Sequence, residues 1–221
     1  LKGLLTYRSG RLLGATVGVA LTIALLISIG VFITSSTASM TRRATTGVPV
    51  DWQVQLSPSA NANAVANAID TSTAVTAAEK VGYATTAGFS SNTGGTIQTT
   101  GPGKVLGLGP QYRQHFPTEI RLLIGSLNGV LVAQQTASNL HATVGDTVTL
   151  QRVGLPPVTV KVSGIVDLPH ADGLFQDIGA PTGSVALAPP DNVLLLPDNQ
   201  WHQIFDPQAT LHPDSVSTQF H

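Results

Sequence analysis

The 221-residue chain contains no cysteine, which excludes a disulfide framework and a thiolate metal site and leaves the redox compartment open. Acid is missing from the first fifty residues, where Lys2, Arg8, Arg11, Arg42 and Arg43 stand without an Asp or Glu. Base is scarce afterwards. The remaining residues carry six Lys/Arg against twelve Asp/Glu, and no Lys or Arg follows Lys161. The formal net charge of −1 therefore joins a basic beginning suited to a membrane to an acidic remainder suited to water. Arg113, Arg121 and Arg152 are scattered, so no basic face for nucleic acid forms and no nucleic acid is expected as a partner.

Signatures of catalysis are missing as well. Histidines 115, 141, 170, 202, 212 and 221 include no HExxH, and none lies three or four residues from another. The stretch GPGK at 101–104 is not a phosphate loop: no glycine stands five residues before Gly103, and Val105 replaces the Ser/Thr that would hold Mg²⁺. The chain thus brings no ATPase of its own. No GxSxG or supported Ser-His-Asp order is present. No catalytic, cofactor-binding or metal-ligating residue is assigned, and an enzyme is not expected. The one metal-like grouping is His170 and Asp172 with Asp167 and Asp177, in DLPHADGLFQD. It reads as a solvated acidic loop, with weak Ca²⁺ binding across the acidic 167–214 region as the other reading.

What is present begins with LLGATVGVALTIALLISIGVFI, Leu12–Ile33, a run without charge. At 1.5 Å rise per residue it would span roughly 33 Å, the thickness of a bilayer core. It is too long for the apolar region of a signal peptide and too apolar all round for a small soluble core, so it reads as a transmembrane helix. The flanking bases place the N-terminus in the cytoplasm, and Gly14 and Gly18 make a small-xxx-small pair. The segment after it is polar. Because its one Gly and one Pro come only at Gly47 and Pro49, the helix is expected to continue past the membrane surface to around Met40 or Arg43.

Beyond this stalk the pattern changes to short alternating runs. DWQVQL (51–56) has the period of a half-buried strand, and SANANAVANAID (59–70) reads as a short amphipathic helix with Ser59 as its cap. Strands are expected around Val81 to Phe89, at 104–108, at Val130–Ala133, at 158–167 and at 192–197. Helices are expected up to Leu140 and over 199–205, where Trp201 and Phe205 stand four apart. Between them, NLHATVGDTVTL (139–150) is a corner: Gly145 supplies a backbone conformation closed to other residues, Asp146 bonds local N–H groups, and Val148 and Leu150 point inward. The fold class is α+β: an N-terminal transmembrane helix (about 12–33) within residues 1–43, then a mixed domain over 50–221. That domain combines short strands in a small barrel-like sheet with a few short helices.

The order of these features resembles a known family. A membrane helix precedes VDWQVQL, then VLGLGPQYRQHFP, LNGVLVAQQTASNLHATVGDTVTL, VTVKVSGIVD and NVLLLPDNQWHQIF. This is similar to the MacB/FtsX-type permease of ABC transporters, over its first transmembrane helix and extracytoplasmic core domain. The block 129–166 carries most of the likeness. The resemblance implies a cell-membrane permease fragment with a cytoplasmic N-terminus and an extracytoplasmic core. Its implied partners are a separate cytoplasmic ABC ATPase, the lipid bilayer and a second permease copy, with further membrane helices beyond the core. ATP hydrolysis by the partner would drive export or mechanotransmission. The start at Leu1 and the polar stop at His221 fit the expectation of a piece of a longer protein. The alternative is a single-pass anchored extracytoplasmic binding or sensor module.

Overall fold

A computed structural model describes residues 17–31, 50–57, 60–176, 178–181 and 188–221. The chain divides after Val48 into two units, Leu1–Val48 and Pro49–His221. In the first, residues 17–31 form an α-helix (α1) exposed along its length, with Thr22 Oγ1 donating to the Gly18 carbonyl at 2.9 Å. Among the described residues no helix is long and apolar enough to cross a membrane. The flanks of the expected span, 12–16 and 32–33, and the stalk up to Pro49 lie outside the described residues, as does Gly14.

The second unit is a mixed α+β domain. Its strands are β1 (Val54–Gln55), β2 (Lys80–Thr93), β3 (Thr96–Thr99), β4 (Gly103–Leu108), β5 (Arg121–Gly125), β6 (Val130–Ala133), β7 (Thr147–Arg152), β8 (Val158–Asp167), β9 (Val193–Pro197) and β10 (Val216–Phe220). The helices are α2 (Ala62–Asp70), α3 (Tyr112–His115), α4 (Gln134–Leu140), α5 (Ala171–Leu174) and α6 (Asp198–Leu211). Six strands close on themselves in the order β2-β4-β9-β6-β8-β7-β2, because β7 pairs antiparallel with both β2 and β8. The β4/β9 and β6/β8 pairs are parallel. Beyond β7 the barrel opens: β10 and then β1 continue from β2, while β5 continues from β8.

Alternation decides what each face buries. All six ring strands contribute to one apolar cluster, the ring interior, which includes Ala84, Val105, Val132, Leu150, Val160 and Leu194. The opposite faces of β2, β4, β6, β8 and β9 meet a second cluster that includes Tyr83, Leu106, Leu131, Val166 and Leu195. Helix α3, Phe116, Ile120 and Leu174 complete this outer core. Strands β6 and β9 are covered on both faces, and that is why VLVA and VLLL are unbroken apolar runs.

Helix α6 anchors the ring interior through Trp201, Ile204 and Phe205. The Trp201 indole N–H donates to the Val105 carbonyl at 3.1 Å, and the ring lies flat on β2 and β4 where Gly82 and Gly107 leave no side chain. At the corner, Gly145 has φ 98°, and the Asp146 carboxylate accepts from the Thr143 N–H at 2.8 Å and its hydroxyl at 3.0 Å. The Gly145 N–H donates to the Val162 carbonyl, and the Val162 N–H to the Asp146 carbonyl, so the corner is fastened to β8 before β7 begins. Val148 and Leu150 are fully buried, as the alternation predicts.

Several elements differ from the sequence expectation. Helix α2 is capped by Asn61, whose carboxamide oxygen accepts from the N–H groups of Asn63 and Ala64. Ser59 lies outside the described residues. The 51–56 alternation shrinks to two paired residues, and Val54 is exposed. Helix α6 runs on to Leu211, through Pro207. Strands β3, β5 and β10 were not expected.

Two substitutions test this packing. Gly107→Ala would put a Cβ 2.5 Å from Trp201 Cγ and should lower stability by about 1–3 kcal/mol, read as a shifted urea midpoint that Trp201→Phe partly restores. Gly145→Val meets open space, so only the backbone conformation opposes it. A loss of roughly 1–3 kcal/mol is expected, and a loss below a few tenths would mean the corner accepts an extended residue.

Candidate functional site

The ring interior is apolar, whereas the outer core holds the domain's buried titratable cluster. Strand β2 turns Tyr83 outward, α3 supplies Tyr112, the segment after α3 supplies Glu119, and His221 follows directly on β10; all four are buried. The Tyr83 hydroxyl donates its hydrogen to the Leu174 carbonyl at 2.8 Å. Its contact of 3.1 Å with His221 Nε2 must therefore have Nε2–H as donor. Nδ1 is then bare and accepts from the Tyr112 hydroxyl at 2.9 Å. The result is one directed chain, Tyr112 to His221 to Tyr83 to the Leu174 carbonyl, which requires a neutral imidazole. Phe116 stands edge-on to the imidazole and Phe175 edge-on to Tyr83.

The surroundings shift every group. Burial pushes His221 down to about 4 and Glu119 up to about 7, since each is penalised in its charged form. Burial, and then the Glu119 charge, push the Tyr83 hydroxyl upward. Tyr112 rises for the same first reason, helped by Tyr83, Glu119 and Glu79. One Glu119 oxygen, Oε2, is buried without a hydrogen-bond partner, so burial disfavours its charged form.

This cluster sits where the domain's two chain ends meet. Strand β1 lies antiparallel on β10, with Val54 opposite Phe220, and the Leu56 N–H donates to the Thr218 carbonyl at 2.8 Å. Glu79 and His221 exchange backbone hydrogen bonds of 2.9 and 3.0 Å. Gln53 donates from Nε2 to the Gly173 carbonyl at 2.8 Å. The first residue of the unit's core, Val50, and His221 thus belong to the same end of the domain, and α5 is bonded to both the incoming strand and β2.

Three of the residues in the grouping His170, Asp172, Asp167 and Asp177 are described. Asp167 pairs with Arg121 at 2.6 Å, His170 and Asp172 form the start of α5, and Asp177 lies outside the described residues. Among the described residues no three His, Cys, Asp or Glu side chains are placed to hold a metal ion. Lys104 of GPGK donates to Thr85 Oγ1 at 2.8 Å, and burial lowers its pKa. His115 pairs with Glu79 and His202 with Asp206. His141 closes α4 in the left-handed conformation. A cleft of about 420 Å³ lined by Ser138, Asp167, Phe175 and Asp191 gathers carboxylates without a basic partner for Ser138. The sequence reading missed Tyr83, Tyr112, Glu119 and His221 as a group. The one signal available was the alternation in VSTQF, which would have placed His221 at the end of a strand.

A family model described as the MacB-like periplasmic core domain matches residues 12–218. The crystal structure of the periplasmic region of MacB from Actinobacillus actinomycetemcomitans is similar at 13% identity with a TM-score of 0.42. That match covers 72% of this chain and 63% of the other, less than two thirds of its length. No curated protein matches the sequence.

The two shifted groups act on stability in opposite senses. The depressed His221 pKa gives stability that is present above 6.5 and lost as pH falls toward 4. The raised Glu119 pKa gives stability present below 4.5 and lost as pH rises through 7. Their slopes oppose each other between 4.5 and 6.5. Glu119→Gln should unmask the His221 slope, worth up to about 3 kcal/mol, so its urea midpoint climbs from pH 4.5 to 6.5 more steeply than that of the unaltered chain. Parallel midpoint curves would contradict this assignment.

Proposed function

Since the chain belongs to the MacB-like periplasmic core domain family, we propose that it forms the first membrane helix and extracytoplasmic core of an ABC transporter permease. The observation that carries this reading is the antiparallel β1–β10 pair, which brings the incoming and outgoing chain to one end of the domain. A domain inserted between two membrane segments needs that arrangement, because both connections must face the bilayer together. The apolar run Leu12–Ile33 supplies the incoming segment, with Lys2, Arg8 and Arg11 on the cytoplasmic side. The role is not enzymatic. A separate cytoplasmic ATPase hydrolyses ATP, a second permease copy completes the membrane part, and the core domain turns helix movement into export or mechanical output.

This coupling needs a stiff link between helix and core. In the assembled transporter, a flexible Gly-Ser insertion after Arg43 should leave domain folding and ATP hydrolysis nearly unchanged while abolishing output. Retained output would reduce the helix to an anchor and favour a single-pass binding or sensor module.

A further inference from the structure

We infer that His221 is a proton-sensitive latch: the neutral imidazole holds the paired incoming and outgoing strands on the outer core, and a proton on it releases them. The inference deepens the permease reading, which it needs only to say what pulls on the two strands.

The geometry is specific to one protonation state. Tyr112 donates to Nδ1 and Nε2 donates to Tyr83, whose own hydrogen is fixed on the Leu174 carbonyl. A second ring proton would leave two donors facing each other at Nδ1. The Tyr112 hydroxyl would have to turn, and among the described residues no other acceptor bonds it. Of the two strands, β1 has little else to hold it, since it pairs over two residues with β10, while β10 itself pairs over five with β2. Release of His221 would also free its backbone exchange with Glu79, the rung on which β10 enters its register with β2.

The groups facing the ring favour this response. Tyr83 comes from β2 and Tyr112 from α3, and neither gives up its proton at ordinary pH. Glu119, from the segment after α3, and Glu79, just ahead of β2, lie close enough to act on Tyr112. Glu79 is engaged by His115. From α5 and the residue after it, the ring's neighbours receive a carbonyl and an aromatic edge. None of these carboxylates is hydrogen-bonded to the imidazole, so an imidazolium formed in place would be buried without a bonded counter-charge.

Hydrogen exchange on the full chain by itself tests the latch, corrected for the intrinsic effect of pH. In a Glu119→Gln background, which removes the opposing carboxyl titration, peptides 53–57 and 216–221 should exchange at least about tenfold faster at about pH 4 than at about pH 7, while peptides 130–133 and 193–197 stay protected. Tyr112→Phe removes one donor and keeps the ring, and should open the same two peptides at pH 7. In the same background, His221→Phe should remove their pH response. A response that survives His221→Phe, or that spreads equally over all strands, overturns the latch. Exchange is read without ATPase or transport, so failure of the permease reading would appear in the Arg43 insertion and leave these rates unmoved.

Discussion

Closure of the ring by β7 is the constraint on which the rest of the domain depends. A sheet of β2, β4, β9, β6 and β8 would have two long edges of unpaired backbone groups, each a liability in water. Strand β7 satisfies both at once, pairing Val148–Arg152 with β2 and Thr147–Leu150 with β8. The ring that results is small enough for side chains to fill, and α6 seals it with Trp201, Ile204 and Phe205. The Val-Gly-Asp corner therefore acts at long range through a local device, because a corner already bonded to Val162 fixes the register in which β7 can bridge.

Elements whose burial follows a simple period could be read from sequence. Strands β6 and β8 have the bounds that their apolar runs suggest, and β9 differs from its expected run by one residue. Strand β5, RLLIG, is exposed throughout and carries no alternation, so nothing in its sequence distinguishes it from a loop. In β10 the Ser, Thr and Gln of VSTQF hide a strand that is half covered by β1 and β2. Helix α6 was expected over 199–205 from the spacing of Trp201 and Phe205, and Pro207 lies just beyond, where a helix commonly stops. It continues because Gln208 is fully buried, donating to the Thr85 carbonyl and accepting from the Val153 N–H. The candidate site was the least legible part. Its hydrogen bonds join residues 109 and 138 positions apart, and the six histidines look equivalent until the fold buries His221 alone among them.

The family resemblance and the physical reading converge from different directions. The resemblance rests on an ordered set of motifs, most of which prove to be strand and corner chemistry of the ring. The positioning of the chain ends rests on β1, which lies in VDWQVQL, together with β10 and α5, which lie outside the quoted motifs.

The two cores differ in kind, and that difference supports a division of labour within the domain. The ring interior is built from aliphatic and aromatic side chains, and its stability is set by packing that pH does not touch. The outer core mixes aliphatic residues with two tyrosines, a carboxyl and an imidazole, whose contribution depends on where protons sit. Local opening takes place where few apolar contacts and few backbone bonds must be lost. By that criterion the two-residue β1 pair yields before the ring. Placing the polar cluster beside the chain ends, and nowhere in the ring, lets attachment respond to its surroundings without loosening the barrel.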